Sequence, residues 1–351
     1  LVQPETLHRL LDRVTELAQG LRVTRGRKLR IDSTVVETAV HYPTDSSLLA
    51  DGVRVLSRLV DRARDVLKAS AEACFRNRTR SAKQLAQRIY ATAAVHASRT
   101  TTAERPALYR RLLKVAQASL RQAEQVQQRL ASWSADRAAA ERLNTDLARV
   151  GPLLRKVCAQ TERRVFDGEV VPAQDKVLSL FEPHTAVLRR GTARVPAEFG
   201  RKVLLDEVDG GLVSRYAVLL GNPPDAEQLP TSLAEHRARF GRPPNVLTAD
   251  RAFHTAANER LALEHGVRCT AIPKPGALTP RRRAVERQRS FRRAYRFRAG
   301  IEGRISVLKR RFGLARCRYH GEAGMQRWVG LGILAHNLRH ISQTMALRQT
   351  A

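Results

Sequence analysis

Between Gly52 and Gly151 the chain contains no glycine and a single proline, Pro106. These are the two residue types that most disfavour a helix interior, whereas Ala, Arg, Leu and Gln, which favour it, dominate the interval. Leu108, Leu112, Val115 and Leu120 recur at helical spacing, so the segment has an apolar face to bury. The pattern predicts three or four helices over residues 53–166, packed as a hairpin or small bundle. Any sheet must then be assembled from segments on either side of this block.

Such segments are present on both sides. Upstream, Lys28-Leu29-Arg30-Ile31-Asp32 alternates polar and apolar residues and Thr34-Val35-Val36 is β-branched, which reads as a strand within 22–38. A polar stretch from His41 to Gly52, through Pro43, Asp45, Ser46 and Ser47, reads as a loop. Downstream, Lys176 to Leu180 is a candidate strand, and Lys202–Leu205 and Ser214–Leu219 flank the hairpin signal Asp209-Gly210-Gly211. Gly221-Asn222-Pro223-Pro224-Asp225 breaks the chain before a helix over 226–240. Asn245 to Thr248 reads as a buried strand leading into Asp250, followed by a helix over 256–265 and a short strand over 268–272. The last part is basic and helical and closes on an apolar helix over 324–347. Strands, a helical block, then strands alternating with helices make an α/β protein with an inserted all-α subdomain.

Lys and Arg number 63 against 33 Asp and Glu, a formal net charge of +30. Such an excess costs self-repulsion in the compact state, which a polyanion relieves by neutralising charge and releasing counterions. An enzyme of small metabolites has no need of it. Nucleic acid is the expected partner class, well ahead of an anionic membrane surface. Cys74, Cys158, Cys269 and Cys317 include no C-x-x-C pair, which argues against a zinc ribbon or disulfide framework and suits a reducing cytosol. No secretory leader opens the chain, and the longest nearly apolar stretch, Trp328 to Ala335, is too short to span a bilayer. The expected location is cytoplasmic. The chain starts at Leu1, which fits either a fragment or a non-standard start codon.

From Arg281 to Arg318, 15 of 38 positions are Lys or Arg, and only Glu286 and Glu302 are acidic. At about 100° per residue, a helix over 290–312 puts Tyr295, Arg298, Glu302 and Lys309 within an arc of about 60°. Phe297, Ile301, Ile305, Leu308 and Phe312 fill the adjoining arc, from about 200° to 280°, and should face a core. Arg292, Arg296, Arg304 and Arg310 are expected on a cationic solvent face. Phe312-Gly313 offers a stop, with Lys309, Arg310 and Arg311 complementing the helix C-terminus. Arg298 and Glu302 alone make an ordinary i,i+4 pair. Gly300 and Gly303, each costing about 1 kcal/mol in a helix interior, suggest instead close approach of a DNA backbone or a metal.

The string Tyr295-x2-Arg298-x3-Glu302-x6-Lys309 resembles the Tyr-Arg-Glu-Lys signature of bacterial insertion-sequence transposases with a DDE catalytic domain, of the insertion-sequence-five-like superfamily. Lys28 to Thr34 resembles the family's strand bearing the first catalytic Asp, and Val246 to His254 the strand bearing the second. The likeness runs from about residue 22 to the C-terminus. It implies an RNase H-like fold, a mixed sheet flanked by helices and interrupted by the helical block. Divided on that basis, residues 1–21 are a remnant of an N-terminal helical region and 22–52 the first part of the catalytic domain. Residues 53–166 are then the helical insertion, 167–320 the rest of the catalytic domain and 321–351 a C-terminal helix. Only 31 residues precede Asp32, where the family carries a region that helps recognise transposon ends.

The resemblance also implies a site. Asp32, Asp250 and Glu302 are its catalytic carboxylates and hold two Mg²⁺ ions, or Mn²⁺, with one Asp bridging them. Arg298 and Lys309 are expected to contact phosphates and Tyr295 to stack on a base or bond a phosphate. Arg281, Arg282, Arg283, Arg287 and Arg289 are expected to track the DNA backbone. Partners are double-stranded DNA, as transposon ends and target, and a second copy of the chain, since two ends must be paired. The expected compartment is the cytoplasm, in association with the nucleoid. Glu37, Asp45 and Asp51 compete for the role of first carboxylate, but Asp32 ends an alternating strand and Asp45 and Asp51 sit in loop chemistry. Arg251 and His254 read as structural or DNA-contacting, and His41 and His265 have no evident partner. Rival readings are a truncated remnant that only binds DNA, a nuclease of the same fold that cuts without joining, and a basic architectural protein.

Overall fold

The computed structural model describes residues 2–68, 76–92, 104–188 and 197–350. Cys74 and parts of the expected helical block lie outside them. The described elements begin with α1 (Pro4–Gly20), β1 (Lys28–Glu37), α2 (Asp45–Val66), α3 (Thr79–Ala91), α4 (Arg105–Ala131) and α5 (Arg137–Val165). They continue with β2 (Ala186–Leu188), β3 (Glu198–Val208), β4 (Leu212–Val218), α6 (Leu229–Phe240), β5 (Val246–Ala249) and α7 (Ala256–Glu264). Last come β6 (Cys269–Ala271), α8 (Pro280–Arg287), α9 (Arg289–Arg311) and α10 (Gly321–Gln349). The chain divides into two compact units, one of residues 1–39 with 184–351 and one of residues 40–183.

The first unit is a mixed sheet flanked by helices. Its strand order is β2-β3-β1-β5-β6, with β4 also paired to β3. β1 runs antiparallel to β3 and parallel to β5, and β5 runs parallel to β6. A central strand covered on both faces should be buried almost throughout, and only Lys28, Ser33 and Glu37 of β1 are not buried. Side chains alternate across it. Leu29 and Ile31 enter a core with Leu204, Leu247, Leu233 of α6 and Ala262 of α7. Val36 enters the opposite core with Leu205, Leu11 of α1, Leu308 of α9 and Ile333 of α10. Arg30 and Asp32 share that second face, by the same alternation.

The β3–β4 hairpin forms where the Asp-Gly-Gly signal puts it, with Gly210 and Gly211 at φ of 85° and 78°, a region glycine enters without strain. The Asp209 carboxylate accepts hydrogen bonds from the backbone N–H groups of Arg25, Arg27 and Lys28, which pins the entry to β1. Trp328 to Ala335 lies within α10. Among the described residues no helix is long and apolar enough to cross a membrane.

The described elements of the second unit are helices α2 to α5 and a short 3-10 turn over Ala173–Asp175. One apolar core joins them, including Leu49 and Leu56 of α2, Leu85 of α3, Leu112 of α4 and Leu154 of α5. Two expectations are corrected here. The polar stretch after His41 is not a loop up to Gly52. Thr44 and Ser47 exchange side-chain-to-backbone hydrogen bonds as a capping box, and α2 starts at Asp45. Nor is Lys176 to Leu180 a strand. Val177 bonds through its N–H and its carbonyl to the Gln160 side chain of α5, and Val177 and Leu180 sink into the helical core. The apolar alternation was real, but it serves a strap over a helix. His41, which had no evident partner in the sequence, lies 3.5 Å from Asp51.

Candidate active site

The parallel pairing of β1 and β5 brings together two residues 218 positions apart. Ile31 is paired with Ala249, so Asp32 and Asp250 are the next residue of each strand. Neighbouring strands lie about 4.8 Å apart, and the two carboxylates emerge at the same level, at the carboxyl end of the parallel ladder. There β5 stops, because Asp250 turns the chain by accepting a hydrogen bond from the Ala252 N–H at 2.7 Å, capping a 3-10 turn.

α9 packs on β1, β5 and β6. Ile301 and Leu308 are buried and Phe297, Ile305 and Phe312 half-buried, so the apolar arc faces the sheet. Glu302, beside Ile301, is 68 % exposed at its side chain and reaches the mouth of a cavity of about 460 Å³. Asp32, Asp250 and Glu302 all line that cavity. It is lined as well by Asp225, Lys202, Asn222 and Thr34, which the sequence had not singled out.

A buried charge cluster sets α9 on the sheet. Glu207 of β3, fully buried, accepts from Arg30 Nε at 2.9 Å and Nη2 at 2.5 Å, and from Arg304 Nε at 3.1 Å. Arg30 Nη1 also donates to the Phe297 carbonyl at 2.6 Å, and Arg304 Nη1 lies 2.8 Å from His336 Nε2. Arg30 precedes Asp32 by two positions and Arg304 follows Glu302 by two, so one carboxylate ties the strand of the first to the helix of the second. Arg304 is therefore not on the solvent face. At about 180° on the helical count it borders the core arc, and a buried carboxylate is there to receive it. Gly300 is corrected likewise: a Cβ there would overlap the Arg30 guanidinium, so the close approach is made by protein, not by DNA or metal. Gly303 has nothing near it, and nothing in the structure explains it.

Inside the cavity, cations and carboxylates are interleaved. Arg298 donates to Asp32 Oδ2 at 3.1 Å and to Glu302 Oε1 at 3.2 Å. Lys202 Nζ lies 2.8 Å from Asp225 Oδ1 and donates to the Pro223 carbonyl at 2.9 Å. Burial pushes Asp32 up to about 6, with the negative charges of Asp250 and Asp225 adding to the shift and Arg298 and the Ser33 N–H opposing it. Burial works against the charge of Arg298, but Asp32 and its neighbours outweigh it and raise its pKa. Four carboxylates offer the hard oxygen donors that Mg²⁺ or Mn²⁺ takes, so the donor set fits. Among the described residues, however, no three His, Cys, Asp or Glu side chains are gathered as a metal-holding group. Arg298 supplies the positive charge between Asp32 and Glu302.

The remaining expected residues separate into two classes. Tyr295 is 36 % exposed and Lys309 half-buried on α9. Arg281, Arg283, Arg287 and Arg289 are exposed. Arg282 is not available to a backbone phosphate. Its side chain is 14 % exposed, pairs with Glu259 and Glu286, and donates to the Ile272 carbonyl at 2.6 Å, joining α8 to α7 and β6. Of the competing carboxylates, Asp45 and Asp51 belong to the second unit, paired with Arg164 and Arg54, and Glu37 pairs with Arg316. Arg251 is exposed, and His254 lies 3.5 Å from Glu259.

Comparison with known proteins adds one finding. No curated protein and no solved structure matches the chain. The family described as "Transposase DDE domain" matches residues 199–338, a span that contains nearly all of β3, then β4 to β6, Asp250 and Glu302, and does not include Asp32. Over that span the chain is similar to the transposase DDE domain, which supports a relation to the DDE-type insertion-sequence transposases.

Proposed function

We propose that the protein is a metal-dependent DNA transposase that cleaves at the ends of an insertion sequence and joins the freed 3′ hydroxyl to target DNA. What carries this reading is the convergence of Asp32, Asp250 and Glu302 on one cavity at the carboxyl end of the parallel β1–β5 ladder. Two of the three lie within the matched transposase domain. On this reading the first unit is an RNase H-like catalytic fold and residues 40–183 are its helical insertion.

Asp32, Asp250 and Glu302 would hold two Mg²⁺ ions, which when bound activate an attacking oxygen and stabilise a departing alkoxide. Arg298, on releasing Asp32 and Glu302, keeps its charge beside the scissile phosphate, and Lys309 and Tyr295 share its side of α9. In cleavage the water oxygen bonds to phosphorus and the 3′ oxygen leaves. In joining that 3′ oxygen attacks a target phosphodiester and displaces another 3′ oxygen. Arg281, Arg283, Arg287 and Arg289 follow the backbone, and a homodimer pairs the two ends.

The test uses labelled DNA carrying the repeats that bracket the gene, a plasmid target, and Mg²⁺ or Mn²⁺. Nicking followed by joining of the labelled 3′ end is expected. Glu302→Gln should abolish cleavage and leave salt-sensitive DNA binding nearly intact. Equal cleavage by that variant removes Glu302 from the site. Cutting without joining makes the protein a nuclease, and binding without metal-dependent chemistry makes it a DNA-binding remnant.

A further inference from the structure

Residues 40–183 carry 25 Lys and Arg against 15 Asp and Glu. Part of that charge is matched locally. Arg54 pairs with Asp51, Arg137 with Glu141, Arg149 with Asp146, Arg155 with Glu124, Arg163 with Glu169 and Arg164 with Asp45. The groove between α3 and α4 gathers unmatched cations around one concavity. Ser81, Gln84 and Arg88 line it from successive turns of α3, and Arg111 and Lys114 from α4, around a cavity of about 370 Å³. Among the described residues no carboxylate lines it. Arg88, Arg111 and Lys114 are exposed, and among the described residues none of them is in an ion pair.

Packing does not require this arrangement, since Leu85 and Leu112 already join the two helices in the core. Three unmatched cations around one concavity repel one another, in a unit where Arg54, Arg155 and Arg164 show that a carboxylate can be placed beside an arginine. Guanidinium forks and an ammonium group are the side chains that bind phosphate oxygens, and the Ser81 and Gln84 side chains add neutral hydrogen-bond donors of the kind that contact DNA backbone. We propose that this groove grips the phosphodiester backbone of duplex DNA, giving the helical unit a DNA-binding surface of its own. The inference rests on the reading of the protein as an enzyme acting on DNA. Contacts of this type hold and orient a duplex without reading its sequence.

The test measures binding of the full chain to a fluorescent duplex of arbitrary sequence by anisotropy across a salt series, without metal. Each lost phosphate contact lowers the slope of log affinity against log salt by about 0.9. Replacing Arg88, Arg111 and Lys114 together by Ala should therefore lower its magnitude by about 2.7 and weaken binding at least about tenfold at physiological salt. The milder Arg88→Gln with Lys114→Gln should lower it by about 1.8. Arg88→Lys with Arg111→Lys, which keeps the charge, should leave it unchanged. A control variant with Ala at Arg137, Arg149 and Arg155 removes the same charge from matched positions and should leave the slope nearly unchanged. Equal losses in groove and control variants would overturn the proposal, as would a groove variant with the parent slope. Failure of the parent chain to bind any duplex would overturn both this inference and the function on which it rests.

Discussion

Replacing Glu207 by Gln should destabilise the sheet-containing unit by about 4–5 kcal/mol. The magnitude follows from what the carboxylate holds. Glu207 is fully buried and takes both arms of Arg30 and one of Arg304, whose side chains are 9 % and 17 % exposed. Gln has nearly the same shape but no charge, and its amide nitrogen would face a guanidinium. Breaking a buried pair by removing one partner costs about 3–5 kcal/mol, because the other charge stays buried and unmatched. Here two cations lose their counter-charge, which places the loss in the upper half of that range. The assay is urea unfolding followed by tryptophan fluorescence on a Trp133→Phe background, so that Trp328 alone reports on its own unit. With a slope of about 2 kcal/mol per molar urea, the midpoint should fall by about 2 M. Glu37→Gln, which frees the exposed Arg316, is the comparison and should cost under about 1 kcal/mol. A Glu207→Gln midpoint indistinguishable from that of Glu37→Gln, at unchanged slope, would refute the claim that this cluster seats α9 on the sheet.

Two further outcomes follow from the site. Burial raises Asp32 to about 6, so the folded state holds that proton more tightly than the unfolded chain, and the stability this confers is full below about pH 4 and lost as pH rises through about 6. Asp32→Asn should therefore match the parent near pH 4 and exceed it in stability above pH 7 by up to about 3 kcal/mol without metal; an advantage independent of pH between those limits would contradict the assignment. On α9, Gly303→Ala should stabilise by about 1 kcal/mol, since it restores helix propensity in open space. Gly300→Ala should cost about 1–3 kcal/mol by displacing the Arg30 guanidinium, and thermal unfolding of the two variants moving in the same direction would count against this account.

The parts of the site that were legible in the sequence are those written in local pattern. Alternation around Ile31 marked a strand, which runs on past Asp32 to Glu37, and the apolar run into Asp250 marked a strand end; helical spacing put Arg298, Glu302 and Lys309 on one face of α9. The Asp-Gly-Gly turn marked its hairpin. What escaped depends on partners distant in the chain. Lys202 and Asp225 meet because β3 and the turn before α6 converge, and Gly221 to Asp225 reads locally only as a break in the chain. Arg304 and Arg282 look like members of a cationic run until Glu207, Glu259 and Glu286 are placed beside them. Gly300 shows its purpose only once Arg30 is known to cross α9. The turn residues after His41 misled for another reason: Thr, Asp and Ser serve loops and helix caps equally well.

During synthesis β1 is complete long before either of its partners. Asp32 leaves the ribosome 218 residues ahead of Asp250 and 270 ahead of Glu302, a wait of roughly 15–50 s at about 5–20 residues per second. Until β3 emerges the strand has no ladder to join, while α2 to α5 bury apolar surface against one another from nearby sequence. The helical unit is thus free to fold first, and the acidic centre assembles only when β5 and α9 arrive. A polypeptide interrupted before Glu302 carries an incomplete acidic cluster.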